Sequence, residues 1–247
     1  KMEKILVIIP TYNEKENIEG IITSVFRNCK DHPLSILVVD DNSPDGTSEI
    51  VENMMEKFSY LFLIKRKKKE GLGKAYVAGF NWGLDRDYSY FCQMDADFSH
   101  NPVYLPEMLK LLSSYDFIIA SRYISNGGVE GWGIIRKVIS KGGSLYARIV
   151  LGKNVKDFTG GYNLWKREVL ESIDLNSIFS SGYSFQIEMK YRAICNGFKY
   201  VEYPILFLDR KEGKSKMSKS IVLEAAINVL KLRLFQHGSD KIQKNRI

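Results

Sequence analysis

Two aspartates stand one residue apart in the segment FCQMDADFSH (residues 91–100), at the end of an apolar run. Side chains alternate between faces on an extended segment, so Asp95 and Asp97 can meet the same ligand. Carboxylates this close repel each other unless a cation or strong donors lie between them. Mg2+ or Mn2+ would fit, because hard cations prefer oxygen ligands and share them with substrate phosphates. A solvated turn, with Asp97 capping a helix that starts near Asn101 and Pro102, explains the motif equally well.

A second group of residues has the chemistry of a phosphate clamp. Arg136 and Ser140 are four residues apart in a predicted helix and therefore share one face, whereas Arg122 follows an apolar strand. Arginine suits phosphate because its planar fork donates two hydrogen bonds at once. Any one of these residues, taken alone, is more often a surface side chain, so the prediction depends on their coming together.

Short apolar runs alternate with amphipathic helical segments through the first half of the chain. The run KILVIIP is followed by Ile18, Ile21, Ile22, Val25 and Phe26 at helical spacing. The alternation continues with the strand-like runs SILVVDD, YLFLI, YFCQMD and DFIIASR and with predicted helices over residues 47–57, 73–84 and 102–113. This pattern predicts an α/β fold, a Rossmann-like and mostly parallel sheet with helices on both faces.

Polar clusters follow the apolar strands at the point where each strand ends. They are PTYNE after the first strand, DDNSPDG after the second, DAD after the fourth and SRY after the fifth. Ligands of open α/β sheets bind outside the carboxyl ends of the strands. This shared location favours the functional interpretation of Asp95 and Asp97 over the solvated turn.

The second half of the chain has a looser pattern. It contains a Gly-rich loop SNGGVEGWG, predicted helices over residues 134–150 and 184–196, and a strand pair in KYVEYPILFLDR. A basic loop and an amphipathic helix follow at about 210–236. That helix fits either a buried core position or a membrane interface, and its basic flank favours the interface. We expect residues 1–247 to form one domain.

Composition narrows the class of protein without identifying it. The chain has 247 residues, is 45% hydrophobic and carries a net charge of +7, which favours an anionic partner: nucleic acid, a phosphate-rich substrate or an acidic membrane surface. Three separated cysteines imply neither a disulfide framework nor a zinc site, and His32, His100 and His237 show no ligand spacing. No apolar run reaches the roughly 18 to 20 residues of a membrane span, and no cleavable-signal pattern is visible at the start.

A nucleotide is the expected ligand, but not a dinucleotide. No G-x-G-x-x-G follows the first strand, which disfavours an NAD-dependent enzyme. A base could stack on Tyr12, while carboxylates bind base or ribose hydroxyls and the metal at the diphosphate; the candidates are Glu14, Asp40, Asp41, Asp95 and Asp97. Asp40 and Asp41 end an apolar strand, where a doubled charge is hard to explain as structure.

The polar loops around these candidates have structural explanations. Asn42 and Asp45 lie in the turn-rich DNSPDG and are expected to be turn and cap residues. The basic run Lys65–Lys69 predicts a solvated loop, and the glycines that follow it predict a tight turn. Lys74, near the start of the next helix, is a weaker phosphate candidate.

Taken together and in order, several segments resemble the polyprenol (dolichol) phosphate mannose synthases, inverting transferases of glycosyltransferase family 2 with a GT-A fold. The resemblance spans roughly residues 4–220 and is carried by PTYNEKENI, VVDDNSPDGT, GLGKAYVAGF, MDADFSH, SRY, GWGIIRKVIS and DRKEGKSK. The combination is far more specific than any one segment.

The resemblance implies roles for individual residues. The donor GDP-mannose would contact Pro10, Tyr12, Glu14, Asp40, Asp41, Lys74, Asp95 and Arg210. Mg2+ or Mn2+ would be held by Asp95, Asp97 and Ser99, although some relatives carry Gln at the position of Ser99. The acceptor, a dolichyl or polyprenyl phosphate, would be held by Arg122, Arg136 and Ser140, with Asp95, Asp97, Arg122 and Arg136 as the catalytic set.

The resemblance also implies where the protein works and with what. It would act as a peripheral protein at the cytosolic face of a membrane, the endoplasmic reticulum in a eukaryote or the plasma membrane in a prokaryote. The membrane surface and small membrane-anchoring subunits are the further partners expected, and nucleic acid is not.

The chemistry of a lipid phosphate acceptor agrees with the residues present. Attack by a sugar hydroxyl needs a positioned general base, and the Q-x-x-R-W signature of processive family-2 synthases is absent. A lipid monophosphate needs no such base, since its second pKa lies near 6. Two alternatives stay open: a dolichyl-phosphate β-glucosyltransferase using UDP-glucose, and a non-catalytic basic module that binds nucleotides or nucleic acid.

Overall fold

The computed structural model describes residues 3–209 and 223–234. Within these residues strands and α-helices alternate along most of the chain, as the sequence predicts. The strands are β1 (Ile5–Thr11), β2 (Leu34–Asp40), β3 (Leu61–Lys65), β4 (Tyr90–Gln93), β5 (Phe117–Ser121), β6 (Gly128–Glu130), β7 (Asn163–Lys166), β8 (Tyr200–Pro204) and β9 (Leu206–Leu208). The helices are α1 (Ile18–Asn28), α2 (Thr47–Met55), α3 (Leu72–Leu84), α4 (Leu105–Leu111), α5 (Ile134–Leu151), α6 (Arg167–Glu171) and α7 (Gly182–Cys195).

Seven strands form one sheet in the order β3-β2-β1-β4-β7-β5-β8. All its pairings are parallel except those of β7, which runs antiparallel to both β4 and β5. The carboxyl ends of β1, β2, β4 and β5 therefore meet at one edge. The strand order reverses between β1 and β4, and such switch points open a crevice where ligands bind. The predicted fold class is confirmed.

The central strands are apolar along their whole length because helices cover both faces of the sheet. Leu6 and Ile8 of β1 pack on the α3 side, while Val7 and Ile9 pack on the α1 side, as the period of two requires. Burying each such side chain contributes about 1.5–3 kcal/mol. Gly79 lets α3 lie close to the sheet, because a Cβ there would stand 2.6 Å from the Ile8 side chain. These contacts hold the strand ends that carry the polar clusters.

Two predictions about the second half need correction. The predicted Gly-rich loop contains β6, and the predicted strand pair does not pair with itself. Instead β8 pairs with β5 in the large sheet, whereas β9 pairs with β6 in a separate two-stranded sheet. The chain changes sheets at Ile205, whose N–H donates to Ser121 and whose carbonyl accepts from Gly128. Both runs are apolar, so local pattern alone could not assign their distant partners.

The C-terminal helix, of which residues 223–234 are described, has one buried face and one exposed apolar face. Val229 and Leu232 are buried in the core, and the Asn228 side chain donates to Ser184 Oγ of α7 at 3.2 Å. Its other face exposes apolar side chains: Leu223, Ile227, Leu230 and Leu234. The predicted basic loop before it, including Arg210, lies outside the described residues. In the part of the chain described, no helix combines the length and apolar character needed to cross a membrane.

Candidate active site

Asp95 and Asp97 lie just past β4, at the switch-point edge of the sheet. Asp97 is buried, and its Oδ1 accepts from the Ser99 N–H at 3.1 Å and from the Ser99 hydroxyl at 2.5 Å. Asp95 keeps 28% of its side chain exposed. The helix that begins at Pro102 is capped by Asn101, whose side chain accepts from the Val103 N–H. Asp97 is therefore not the helix cap that the solvated-turn alternative required.

The donor set around these aspartates suits a hard cation. Both groups are carboxylates, and the described residues contain no group of three or more His, Cys, Asp or Glu side chains that could enclose a metal alone. A cation held here would need oxygens from a bound ligand or water to complete its shell, as Mg2+ often does. The residues thus fit the predicted Mg2+ or Mn2+. Ser99 hydrogen-bonds the Asp97 carboxylate, and its predicted role as a metal ligand stays a prediction.

Two residues support Asp95 that the sequence did not identify as doing so. The Tyr76 hydroxyl of α3 donates to Asp95 Oδ1 at 3.2 Å, and the Asp95 N–H donates to His100 Nδ1 at 2.9 Å. Burial and the nearby Asp95 charge raise the pKa of Tyr76 well above its ordinary value, so the phenol stays a neutral donor. His100 is buried and stacked on Tyr162.

Asp40, a predicted donor-binding residue, also has a structural role. It is 1% exposed, and four donors reach its carboxylate. These are the hydroxyls of Thr11 (2.7 Å), Ser43 (2.6 Å) and Ser48 (2.9 Å) and the N–H of Ser43 (2.8 Å). The charge joins the ends of β1 and β2 to the loop before α2.

Asp41 is explained in the same way by residues of the basic run. It forms an ion pair with Arg66, and its Oδ2 accepts from the N–H groups of Glu70 (3.1 Å) and Gly71 (2.9 Å). Gly71 turns the chain at φ +95°, a conformation that favours glycine. The predicted solvated loop is therefore wrong for Arg66, whose side chain is only 10% exposed.

The other donor-site candidates border this loop. Lys69 Nζ lies 3.7 Å from the centre of the Tyr12 ring, on the aromatic face predicted to stack on a base. Glu14 accepts from the Asn17 side chain at 3.1 Å, and Pro10 and Tyr12 are partly buried at the end of β1. Lys74 is exposed in the first turn of α3.

The turn role predicted for Asp45 is confirmed. Its carboxylate accepts from the Thr47 hydroxyl at 2.6 Å at the start of α2. Partial burial acts to raise the pKa of Asp45, but the hydrogen bonds from Thr47 and Lys15 outweigh it and lower the pKa. Asn42 has φ 62°, which asparagine tolerates in a turn.

Arg122 lies at the carboxyl end of β5 and is bound by a buried carboxylate that the sequence analysis did not single out. Its Nε and Nη2 each donate to Asp157 at 2.7 Å, and Nη2 also donates to the Thr159 hydroxyl at 2.9 Å. Arg122 is 6% exposed and Asp157 is 0% exposed. Burial alone would raise the pKa of Asp157, but the Arg122 guanidinium overcomes this and lowers it. The pair is fully ionised.

Trp132 brings the two predicted phosphate arginines together. The Arg136 guanidinium lies 4.0 Å from the Trp132 ring centre, and that of Arg122 lies 5.5 Å from it. Arg136 also donates to Asp209 at 2.7 Å. Ser140, the third predicted clamp residue, is connected to Arg122 through Tyr123. The Tyr123 hydroxyl donates to Ser140 Oγ at 2.7 Å, and its ring centre lies 5.0 Å from the Arg122 guanidinium. All three predicted clamp residues thus converge, whereas Arg210 lies outside the described residues.

An apolar cavity of about 340 Å³ opens beside this group. It lies between α5, α7 and the C-terminal helix, and Ser140 and Thr159 form part of its wall. The apolar part is lined by Trp132, Ile139, Tyr146, Tyr183, Ile187 and Val229. The apolar cavity therefore lies next to polar side chains that could bind a phosphate.

A mostly parallel sheet with helices on both faces and carboxylates at its switch point is a GT-A-like fold, and comparisons with solved structures agree. A glucosyl-3-phosphoglycerate synthase from Mycobacterium tuberculosis, in complex with Mn2+, UDP and phosphoglyceric acid, superposes with a TM-score of 0.70 at 17% identity, covering 94% of this chain and 78% of that one. The same enzyme with Mg2+ and UDP gives a TM-score of 0.69. At this identity the likeness establishes the fold.

Sequence comparison identifies the family. Residues 6–174 match the sequence model of glycosyl transferase family 2. The polyprenol monophosphomannose synthase of Mycolicibacterium smegmatis is 46% identical over 92% of this chain and 86% of that protein. The undecaprenyl-phosphate mannosyltransferase of Micrococcus luteus is 44% identical over 92% of both proteins. The dolichol-phosphate mannosyltransferase of Pyrococcus furiosus is 34% identical over 98% of this chain and 67% of that protein. The chain belongs to glycosyltransferase family 2 and, within it, to the family of these mannosyltransferases.

Proposed function

We propose that the protein transfers mannose from GDP-mannose to a polyprenyl or dolichyl monophosphate, giving a β-linked lipid phosphate mannose and GDP. The observation that carries the proposal is the junction of Arg122, Arg136 and Ser140 with the apolar cavity. Phe207 connects this junction to the switch point, since its ring centre lies 5.3 Å from the Arg122 guanidinium and 5.8 Å from the ring centre of His100. His100 in turn lies 3.9 Å from Asp95. An acceptor with an anionic head and an isoprenoid chain matches this junction in both parts. The names of the relatives support the same acceptor class and the same sugar.

On the donor side, the residues around β1, β2 and β4 would bind the nucleotide and its diphosphate. Tyr12 offers a face to the base, Glu14 offers a carboxylate to a hydroxyl, and Lys74 projects from the helix start towards solvent. Asp95 and Asp97 would hold Mg2+ or Mn2+, and the metal-bound structural relatives support this choice. When bound, the cation neutralises charge on the leaving diphosphate.

On the acceptor side, the protein's task is to position a nucleophile that is already ionised. A phosphate monoester has a second pKa near 6, so its oxygen needs no general base at neutral pH. Arg122 and Arg136 would hold the phosphate so that one oxygen lies in line with the bond from the sugar to the diphosphate. Attack at the anomeric carbon forms the new carbon–oxygen bond as the bond to GDP breaks. The configuration inverts from α to β.

A membrane surface is the proposed source of the acceptor, and α5 would contact it. Along α5, apolar side chains stand exposed at helical spacing: Ile134, Ile135, Val138, Ile139, Leu145 and Ile149. The sequence pattern predicts a membrane contact only at the final helix, whose exposed leucines would extend this surface. An exposed apolar face of this extent marks an interaction site, and both helices border the cavity. We propose peripheral attachment through these two helices, at the cytosolic face of the membrane.

The deciding experiment is transfer from labelled GDP-mannose to a polyprenyl phosphate in detergent, with Mn2+, Mg2+ or EDTA. Metal-dependent formation of lipid-linked mannose, lost in Asp97→Ala, is the expected result. Glucose transfer from UDP-glucose instead would replace the donor assignment. Salt-sensitive binding of RNA or DNA without any transfer would favour the non-catalytic basic module.

A further inference from the structure

Lys190 of α7 is a charged side chain placed wholly inside the protein. It is 0% exposed, and its Nζ donates to the carbonyl oxygens of Phe158 at 3.0 Å and Gly160 at 2.6 Å. Lysine is almost never fully buried unless paired, because removing its charge from water is costly. Neither of its two hydrogen-bond partners is an acid. This arrangement calls for an explanation beyond core packing.

The two carbonyls belong to the turn that holds Arg122. Between them stands Thr159, which accepts from Arg122, and before them stands Asp157, which accepts from Arg122 and from the Gly160 N–H at 2.9 Å. Lys190 thus ties together both ends of the short segment, residues 158–160, that follows Asp157. A shift of this turn would move both oxygen partners of Arg122 Nη2.

Protonation of Lys190 changes the charge of this cluster. Asp157 and Arg122 form a matched ion pair, and the Glu202 carboxylate lies beside the same turn, so a protonated Lys190 adds one positive charge next to the turn that holds Arg122. Burial lowers the pKa of Lys190 to about 7; Asp157 and Glu202 act to raise it, and Arg122 acts to lower it further. Glu202 is tied to the same segment, since it accepts from the N–H groups of Lys156 and Asp157.

We propose that Lys190 is a positioning residue for the acceptor phosphate: it holds the 157–160 turn behind Arg122 and, when protonated, supplies a positive charge that favours a doubly ionised phosphate. This inference rests on the proposed function in that the ligand is an isoprenyl monophosphate. It requires the affinity for that ligand to fall as Lys190 loses its proton. Ionisation of the ligand has the opposite effect on affinity: its second pKa lies near 6, so the phosphate gains negative charge as the pH rises.

The test is the affinity for farnesyl phosphate in detergent, measured by calorimetry from pH 6.5 to pH 8.5. We expect the wild-type dissociation constant to rise about three- to tenfold over this range. Lys190→Met keeps the length of the side chain without its charge or its two hydrogen bonds, so its affinity should be nearly constant with pH and weaker than that of the wild type throughout the range. Lys156→Met is the matched control, because it removes an exposed lysine next to Asp157 and should keep the wild-type profile.

Parallel wild-type and Lys190→Met profiles would overturn the proposal. If Lys190→Met does not fold, the wild-type profile alone decides, since an affinity that is constant or increases with pH contradicts a buried lysine that titrates there. A merely structural role would lower stability without this pH dependence. Failure of the proposed function is seen separately, as the absence of mannose transfer by the wild type.

Discussion

At the scale of single residues, the site depends on side chains that orient other side chains. Asp97 is held by Ser99, Asp95 by Tyr76, and Arg122 by Asp157. Fixed donors and acceptors favour catalysis because the site does not have to reorganise during the reaction. The hydroxyl of Tyr76 offers the cleanest test, since phenylalanine can replace tyrosine without changing the ring.

Tyr76→Phe should weaken metal binding and turnover about tenfold. The ring stays stacked between Phe80 and Phe185, but Asp95 loses a hydrogen bond, and bonds to charged groups contribute about 1.5–3 kcal/mol. Mn2+ binding followed by electron paramagnetic resonance, together with kcat, checks this. Tyr162→Phe removes another buried phenol hydroxyl, which donates to the Asn101 carbonyl, and is the control. Unchanged Mn2+ affinity in Tyr76→Phe would exclude the positioning role.

Arg136→Ala should raise the KM for the lipid phosphate about tenfold or more and leave the KM for GDP-mannose nearly unchanged. The guanidinium packs on Trp132 next to Arg122, on the acceptor side of the site. Steady-state kinetics with each substrate varied in turn gives the two constants. Arg86→Ala removes an arginine that likewise packs on a tryptophan, Trp82, at 3.8 Å, and should behave as wild type. An equal effect on both constants would argue against an acceptor role.

At the scale of elements, α5 has one face packed on the protein and one face exposed to solvent. Its buried residues Ser144, Ala147 and Leu151 face the protein, while its opposite face exposes isoleucine and valine. The same helix carries Arg136 and Ser140 and borders the apolar cavity. If α5 contacts a membrane as proposed, its exposed face and its first turns would lie between the lipid surface and the phosphate site, so that a lipid head group could pass from one to the other.

Ile135→Glu should reduce binding to anionic vesicles several-fold and slow transfer to long-chain acceptors, without loss of stability. Ile135 is 77% exposed, so a charge there costs little in the folded protein but opposes insertion into a membrane. Vesicle flotation and thermal unfolding give the two readings. Tyr60→Glu is the control: Tyr60 is 65% exposed but precedes β3, at the opposite edge of the sheet. Equal flotation of Ile135→Glu and wild type would refute a membrane contact through α5.

At the scale of the whole molecule, burying Lys190 in the core couples stability to pH. The unfolded chain keeps Lys190 protonated up to its ordinary pKa of about 10.4, whereas the folded protein releases the proton near pH 7. Between these values the unfolded state binds more protons, so stability increases with pH. Below about pH 7 Lys190 is charged in both states, so the folded protein is destabilised by the full free energy of burying that charge.

The free energy of unfolding of the wild type, relative to Lys190→Met, should therefore increase between pH 7 and pH 9.5. The slope can reach about 1.4 kcal/mol per pH unit, the value for one proton. Urea unfolding at several pH values measures it for both proteins. A difference that stays constant with pH would mean that the folded and unfolded states hold this proton equally.

The sequence by itself determined the alternation of strands and helices, the parallel sheet and the edge where its polar clusters meet. These follow from local patterns, apolar runs with a period of two and helical spacing, which need only a few neighbouring residues. It also predicted that Asp95, Asp97 and Arg122 belong to one edge, because parallel strands end together, and it grouped Arg136 and Ser140 on one helix face as the rest of a phosphate clamp.

Only the tertiary structure decided how those residues are held. The partners Tyr76 and Asp95 are 19 residues apart, Asp41 and Arg66 are 25 apart, and Arg122 and Asp157 are 35 apart. No local pattern pairs residues at such separations. In the sequence, a buried carboxylate such as Asp157 cannot be distinguished from an exposed loop aspartate. Burial and pairing exist only once the chain has folded, because they are properties of the whole core. For the same reason Lys190, unremarkable in a helix of mixed polarity, became a candidate for controlling the acceptor site only in three dimensions.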